Sequence, residues 1–535
     1  MSDVVRVAAQ QRRTLLRNVT LCPDPIEAFR ACCDDPTRLG TALLETAETP
    51  ESAATAGRSL LVVRSALQIT CRARRVTVRA LGPHGQLLLP WLAERLPGAE
   101  AVTHSGNTVQ CSYPPLPSGS EEQRLHAPSP VDVLRALGRG LVERIEQPSA
   151  APLLLGTFAY DLLESYESLP AASADPTGWP DFEFFLPDRL IWLDHEHGTA
   201  TVVVHLFGGD QTSGAYGDAV SGVVRLVEGL NQAARAGEPV AEAPPPSAHA
   251  RPLPAVDIDD DSFAALVEQL KQHIVAGDVF QIVPSRTFSI PCRAPLEAYR
   301  RLRSANPSPY MFYLNGSAGV LFGTSPETAV AVEGQPPRVH IRPIAGTRPR
   351  GRSAAQGPID FDLDSRREAE LRLSEKEVAE HMMLVDLARN DVARVSASGT
   401  RQVEALLQVE RYSHVMHLVS HVSGRLRPEL DALHAYVATM NMGTLVGAPK
   451  VRAAQLLRQY EATRRGPYGG AVGYLSADGR MDTGIIIRAA LVRDGRAYVR
   501  AGAGVVYDSD PLAEADETRR KAQAVLDAIG PETTP

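Results

Sequence analysis

Between Arg425 and Val506 the chain returns repeatedly to glycine: GTLVGAPK (443–450), GPYGGAVGY (466–474), DTGIIIRAALV (482–492) and AGAGVV (501–506). Glycine is entropically costly, so its repeated use marks sharp corners and places where something approaches the backbone closely. The runs between the glycines are short, apolar and of strand length. Such a segment must fold as packed strands with tight corners. One residue is out of keeping with it. Arg488 falls inside an apolar run that reads as a strand, and a buried guanidinium without a counter-charge is strongly destabilising. It needs a protein carboxylate or an anionic ligand, and the ligand is the reading taken here.

A chain of 535 residues exceeds one ordinary domain. With 44% apolar and 22% charged residues it has a globular composition. A net charge of −8 argues against non-specific nucleic-acid binding and means that an anionic substrate must meet local positive charge. The N-terminal MSDVVRVAAQQRRTLLRN lacks the apolar core of a signal peptide, and no apolar run is long enough to span a membrane. Cys22, Cys32, Cys33, Cys71, Cys111 and Cys292 form no CxxC pair. Reduced cysteines in a cytoplasmic protein are the expectation.

Residues 1–40 read as polar and helical at the start. SLLVVRSALQITCRARRVTVRAL (59–81) reads as strands in a meander, and 181–207 as a hairpin turning at HGT. The Ala/Pro-rich segment 236–256 has no periodicity and is predicted to be a linker. It divides the chain into an N-terminal domain, 1–235, and a C-terminal domain, 257–535. In the second, FQIVPSRTFSI (280–290) reads as one strand, 310–334 as three, and 374–395 and 512–530 as helices. The class is α+β with much antiparallel sheet.

Glu377 and Glu380 lie three apart on one predicted helix, and Glu514 and Glu517 three apart on the other, so each pair shares a face. Most such pairs are solvated surface. If the two helices face each other, however, four carboxylates converge, and an all-oxygen donor set of that kind suits Mg²⁺. His417, between apolar residues, reads by itself as a core histidine. Lys450 and Lys521 read as surface lysines.

At this point the motifs coincide with a known family. FQIVPSR, NPSPYMFYL, GTSPE, IRPIAGTRPRG, EHMMLVDLARND, GTLVGAPK, YGGAVGY and AGAGVVYDSDP with EADETRRKA resemble the chorismate-utilising enzymes, and within them the anthranilate synthase component I group. The similarity runs from about 257 to 530 and continues more loosely through LLETAE and GTFAYDLLESYESLP. It implies a large antiparallel chorismate-utilising fold with helices packed on the sheets, behind an N-terminal regulatory α+β domain. It also implies amination of chorismate at C2 with loss of the C4 hydroxyl, then pyruvate elimination to anthranilate, as in tryptophan biosynthesis. Glu380 and Glu517 would hold Mg²⁺, with Glu377 and Glu514 nearby. Arg488 and Tyr468 would grip the substrate carboxylates. Gly502, Ala503 and Gly504 would offer backbone N–H groups, and Gly346, Thr347, Thr444 and Lys521 would line the site. His417 would be the acid/base group of the elimination.

Two positions discriminate within the family. Water-adding members carry a lysine base where this chain has Gln281, and aminodeoxychorismate synthases carry a nucleophilic lysine where it has Ala345. Both departures favour ammonia and C2. The resemblance further implies a separate glutamine amidotransferase subunit, anthranilate synthase component II, in a hetero-oligomer, and feedback inhibition by tryptophan at Thr46, Pro309, Tyr310 and Met311. Thr46 replaces the usual serine, Gly484 stands where some members have cysteine, and Val446 where a small hydroxyl residue is common. Val446 keeps open an enzyme that stops at aminodeoxyisochorismate. A degenerate regulatory subunit, by contrast, would be expected to have lost some of Glu380, Glu517, Arg488 or His417.

Overall fold

The computed structural model describes residues 13–46, 57–142, 151–207, 213–236, 253–353, 357–412 and 415–530. Its frame is a continuous antiparallel network of strands with helices packed against it, the α+β class anticipated above. The central member of the N-terminal part is the strand Arg58–Arg72, almost wholly buried, as its continuous apolar run requires. It pairs with Ala42–Glu45, Arg75–Ala80 and Phe182–Asp194.

Two arms leave this N-terminal sheet. One passes through Ala42–Glu45 to Tyr310–Gly316, Gly319–Ser325, Ala489–Arg493, Arg496–Gly502 and Ser285–Pro291. The other passes through Leu153–Phe158 to Ala471–Ser476, Met481–Ile485, Thr328–Glu333, Arg338–Ile341 and Val415–Arg425. Val415–Arg425 also pairs with Ile344–Pro349 and Gln402–Arg411. The chain steps between the arms twice, at 325–328 and at 485–489. The crossings are stitched together: Ile485 N–H donates to the Glu327 carbonyl at 2.9 Å, and Thr324 N–H to the Arg488 carbonyl at 3.1 Å.

The helix Glu375–Val395 packs on Ile344–Pro349 and Val415–Arg425. The helix Pro511–Ile529 packs on Arg496–Gly502 and on the helices Asp260–Val275 and Pro295–Ala305. Ser374 and Asp510 cap their N-termini, and Pro511 occupies the first turn, where its missing N–H costs nothing.

Several expectations are corrected. Residues 1–12 lie outside the described residues; from there the predicted polar, helical start meets a strand, Arg13–Val19, paired with Thr199–Leu206, before the helix Pro25–Cys32, because pairing overrides local preference. FQIVPSRTFSI is two strands, because Pro284 cannot donate to a ladder, and Gln281–Ile282 pairs with Gly447–Ala448 instead. Residues 237–252, most of the predicted linker, lie outside the described residues; Ala255–Val256 already pairs with Phe288 and Ser289 in the first arm. The helices Phe361–Leu373 and Lys450–Glu461 were not anticipated. Among the described residues no helix is long and apolar enough to cross a membrane.

Candidate active site

Arg488 is not in a strand. It sits at a bend in the second crossing, with a positive φ of 50°, a conformation that is uncommon for any residue but glycine. The strand ends at Ile485, and the apolar run Ile485–Ile487 concealed the break. Half-buried, the guanidinium makes no hydrogen bond or ion pair among the described residues. Burial lowers its pKa, and the charges it feels are those of Tyr468, Glu517 and Glu327.

Glu327, in the first crossing, was missed as a site residue. Its signal was present in GTSPE: an acid directly after an apolar strand, in what reads as a turn. Only 6% exposed, it accepts a hydrogen bond from the Thr444 hydroxyl at 3.2 Å. Burial lifts its carboxyl to about 8, against the opposing pull of the Thr444 and Ile344 hydrogen bonds and of Lys521 and Arg488. Glu327 is therefore a neutral acid at pH 7.

His417 lies on Val415–Arg425 opposite Thr347, whose hydroxyl is 2.9 Å from its Nδ1. Burial lowers its pKa to about 4, the charge of Arg488 adds to this, and a hydrogen bond with the Gly346 backbone opposes it. The imidazole is neutral. Gly346 is the extra residue of a bulge at a φ of 85°; a Cβ there would stand 3.2 Å from Glu377 Oε2, so glycine lets this turn approach the acidic helix.

The two glutamate helices bring Glu380 within electrostatic reach of the other three glutamates. Burial raises the pKa of Glu380, with Lys376 opposing and Glu377, Glu517 and Glu514 adding to the rise. Glu377 is held by Arg348 at 2.8 Å, and Glu517 by Lys521 at 2.7 Å. Glu514 is nearly buried, and its Oε2 has no hydrogen-bond partner. These carboxylates, one with an orphaned buried oxygen, supply the oxygen donors that a hard divalent cation takes.

Contacts link several of the remaining predicted residues. The position a Cβ of Gly502 would take is 2.8 Å from the Tyr468 hydroxyl, and Lys521 Nζ donates to the Gly502 carbonyl at 3.1 Å. Gln281 lies over Gly504, and its buried Oε1 is unpaired. Burial raises the Tyr468 pKa, opposed chiefly by Arg465 and Arg500. One expectation fails: the Ala503 N–H is not offered to a ligand but donated to the Pro284 carbonyl at 3.1 Å. Val446 is fully buried in the apolar core and borders a different cavity, beside Lys450 and Met440. Lys450 is no surface lysine, since it pairs with the buried Asp391.

Met311 pairs with Glu45, the residue before Thr46, where Ala42–Glu45 meets Tyr310–Gly316. Pro309 and Tyr310 adjoin them, but Tyr310 is engaged: its hydroxyl donates to Asp482 at 2.9 Å and its ring covers Gly484, where a Cβ would lie 2.4 Å from Cγ.

Residues 107–527 match the family of chorismate binding enzymes. The chain is 50% identical over 481 residues to the pyocyanine-specific anthranilate synthase component 1 of Pseudomonas aeruginosa, covering 89% of this chain and 87% of that one. It is 48% identical over 513 residues to anthranilate synthase component 1 of Vibrio cholerae, with 95% and 94% covered. The crystal structure of anthranilate synthase component I from Streptococcus pneumoniae superposes with a TM-score of 0.63 at 30% identity, covering 90% of this chain and 94% of that one. Both crossings and both glutamate helices' site residues fall inside the matched stretch, and the chain belongs to the chorismate binding enzyme family.

Proposed function

We propose that the chain is the large subunit of an anthranilate synthase, converting chorismate and ammonia to anthranilate and pyruvate. The observation that carries this reading is the Arg488 guanidinium, held without a hydrogen bond or ion pair among the described residues, beside a neutral acid, Glu327, and a neutral base, His417. Arg488 and Tyr468 take the substrate carboxylates, where a planar guanidinium binds in bidentate fashion. Ammonia adds at C2 of the ring, the double bond shifts, and the C4–O bond breaks. Glu327 supplies the proton with which that oxygen leaves as water, and Thr444 holds the carboxyl in place. In the second step His417 takes the proton from C2, and the C3–O bond breaks to release enolpyruvate, which becomes pyruvate. Thr347 fixes the ring of His417 for this transfer.

The carboxylates of Glu380 and Glu517, with Glu377 and Glu514 at their rim, would hold Mg²⁺, which when bound supplies positive charge to the ring carboxylate and the leaving oxygen. Gln281 cannot deprotonate water and Ala345 cannot act as a nucleophile, which favours ammonia and C2. A glutamine amidotransferase subunit supplies the ammonia, and tryptophan inhibits from the Thr46–Met311 junction. An enzyme that stops at aminodeoxyisochorismate is the second reading, suggested by Val446, and the pyruvate measurement separates the two.

The test uses the purified chain with chorismate, Mg²⁺ and ammonium above pH 8, following anthranilate fluorescence and pyruvate. Equimolar anthranilate and pyruvate support both steps; an aminated product without pyruvate contradicts the second. Glu517→Gln should reduce Mg²⁺-dependent turnover by at least about 100-fold with the fold intact.

A further inference from the structure

Away from the crossings, two histidines and a glutamate meet on three adjacent strands of the second arm. His340 stands opposite Ser423 on Val415–Arg425, which places it diagonally across from His421 on the same face. Val403 pairs with Val422 and Ala405 with His421, leaving Glu404 as the extra residue of a bulge. Bulges re-aim side chains, and here the carboxylate turns toward the imidazoles. His340 Nδ1 is 2.9 Å from His421 Nε2, and His421 Nδ1 is 3.0 Å from Glu404 Oε2. The other carboxylate oxygen, Oε1, is held by Arg338 at 3.3 Å and by the Ser423 hydroxyl. One ligand atom from each of the three residues lies within 4.8 Å of the others.

The chemistry assigned to the crossings uses none of these groups. Burial lowers the pKa of both rings, so both are neutral and carry lone pairs. The surrounding charges are balanced: Glu333 approaches His340 Nε2 at 4.0 Å, Arg338 binds Glu404, and Arg342 pairs with Glu410. Two neutral imidazoles with facing nitrogens can share one proton or give both lone pairs to a metal. The carboxylate faces the other nitrogen of His421, Nδ1, so completing the second arrangement takes a turn of the Glu404 side chain toward the Nε2 edge, within the 4.8 Å that separates the ligand atoms.

We propose that His340, His421 and Glu404 bind a zinc-class divalent cation at a site separate from the glutamate cluster. A donor set of two imidazoles and one carboxylate suits Zn²⁺ or Co²⁺ rather than Mg²⁺, and water fills the open position. The nitrogens need to part only slightly, to about 3.3 Å for Zn–N bonds of about 2.0–2.1 Å. All three side chains retain some exposure, so the ion enters from solvent. His421 lies four residues beyond His417 on one strand, roughly 13 Å away. An ion here ties that strand to both of its neighbours.

The experiment uses the full chain, stripped with chelator and held in excess Mg²⁺, titrated calorimetrically with Zn²⁺. One equivalent should bind. His421→Ala and His340→Gln should each weaken it at least tenfold, whereas Glu517→Gln should not. Should either histidine variant fail to fold, Co²⁺ added to the unaltered chain decides: the proposal expects tetrahedral visible bands without a thiolate charge-transfer band. Zinc binding unchanged in the folded histidine variants, lost in Glu517→Gln, or accompanied by a thiolate band overturns it. The last result would place the ion at Cys22 and His195, which lie 3.3 Å apart.

Discussion

The seam between the two arms and the junction at Thr46 are both built from strand ends and both bury charge, but they treat it oppositely. At the junction, Glu45 is buried with Arg303 at 3.0 Å and the Tyr299 hydroxyl at 2.5 Å, Arg303 also reaches Asp24 at 2.7 Å, and Tyr310 is bonded to Asp482. There Glu45 has a counter-charge and Asp482 a hydrogen-bonding hydroxyl. At the seam, Arg488 makes no hydrogen bond or ion pair among the described residues, Glu514 Oε2 and Gln281 Oε1 are orphaned, and Glu327 stays protonated because its surroundings do not repay ionisation. Buried polar groups are ordinarily satisfied. The unsatisfied groups at the seam fit the ligands proposed above: carboxylates for the arginine, a cation for the glutamates. A ligand at the junction, by contrast, must fit around contacts already made.

The largest effect expected from breaking this contrast is at Glu327. Glu327→Gln should lower turnover by roughly 10²–10⁴-fold, the usual contribution of a positioned acid. In the unaltered enzyme kcat/KM, referred to free ammonia, should fall above pH 8 as the carboxyl ionises; residual activity of the variant should lack that limb. Stability responds as well. The folded pKa of about 8 exceeds the unfolded value of about 4.3. The native state therefore holds a proton that the unfolded chain has lost between those values, and stability declines as pH rises through that window. The variant should lose that slope in denaturant titrations.

Arg303→Met at the junction strands Glu45 and should cost about 3–5 kcal/mol of stability, with kcat/KM unchanged below the melting range. Arg488→Met at the seam should do the reverse. It should lose about 2–5 kcal/mol of substrate interaction, roughly 30- to 5,000-fold in kcat/KM, with a thermal midpoint unchanged or raised. A fall in stability at Arg488 as large as that at Arg303 would erase the contrast. The smallest effect is expected at Gly484→Ala, where the new methyl pushes against the Tyr310 ring and costs about 1–3 kcal/mol. A lowered melting temperature and weaker tryptophan inhibition with unchanged kcat/KM would sharpen the separation of the two regions.

Much of this was legible in the sequence because the relevant patterns are local. The glutamate pairs sit at helical spacing on two strongly patterned helices, and the glycine punctuation marked the close approaches at Gly346, Gly502 and Gly504. What was illegible depended on contacts distant along the chain. Arg488 looked like a strand residue because three β-branched residues precede it, and only the crossing to the other arm ends the strand there. Glu327 looked like part of a turn because its burial comes from Thr444 and from the second crossing. Lys450 looked exposed because Asp391, its partner, lies 59 positions earlier. The helix Phe361–Leu373 escaped because its polar residues are spread all round it, so no apolar stripe betrays it.

The two crossings carry a consequence for how such a site can change over time. Only Pro326 and Glu327 bridge the first, and only Ile486, Ile487 and Arg488 the second, and each is bonded to its neighbour through the main chain. No loop of variable length intervenes between the acid and the arginine, so insertions cannot reshape the pocket without unstitching both arms. Chemical novelty on this scaffold is confined to exchanging single side chains on an unyielding backbone. Positions 281 and 345, an amide and a methyl in this chain, are then natural dials on which such a site would be set to one nucleophile or another.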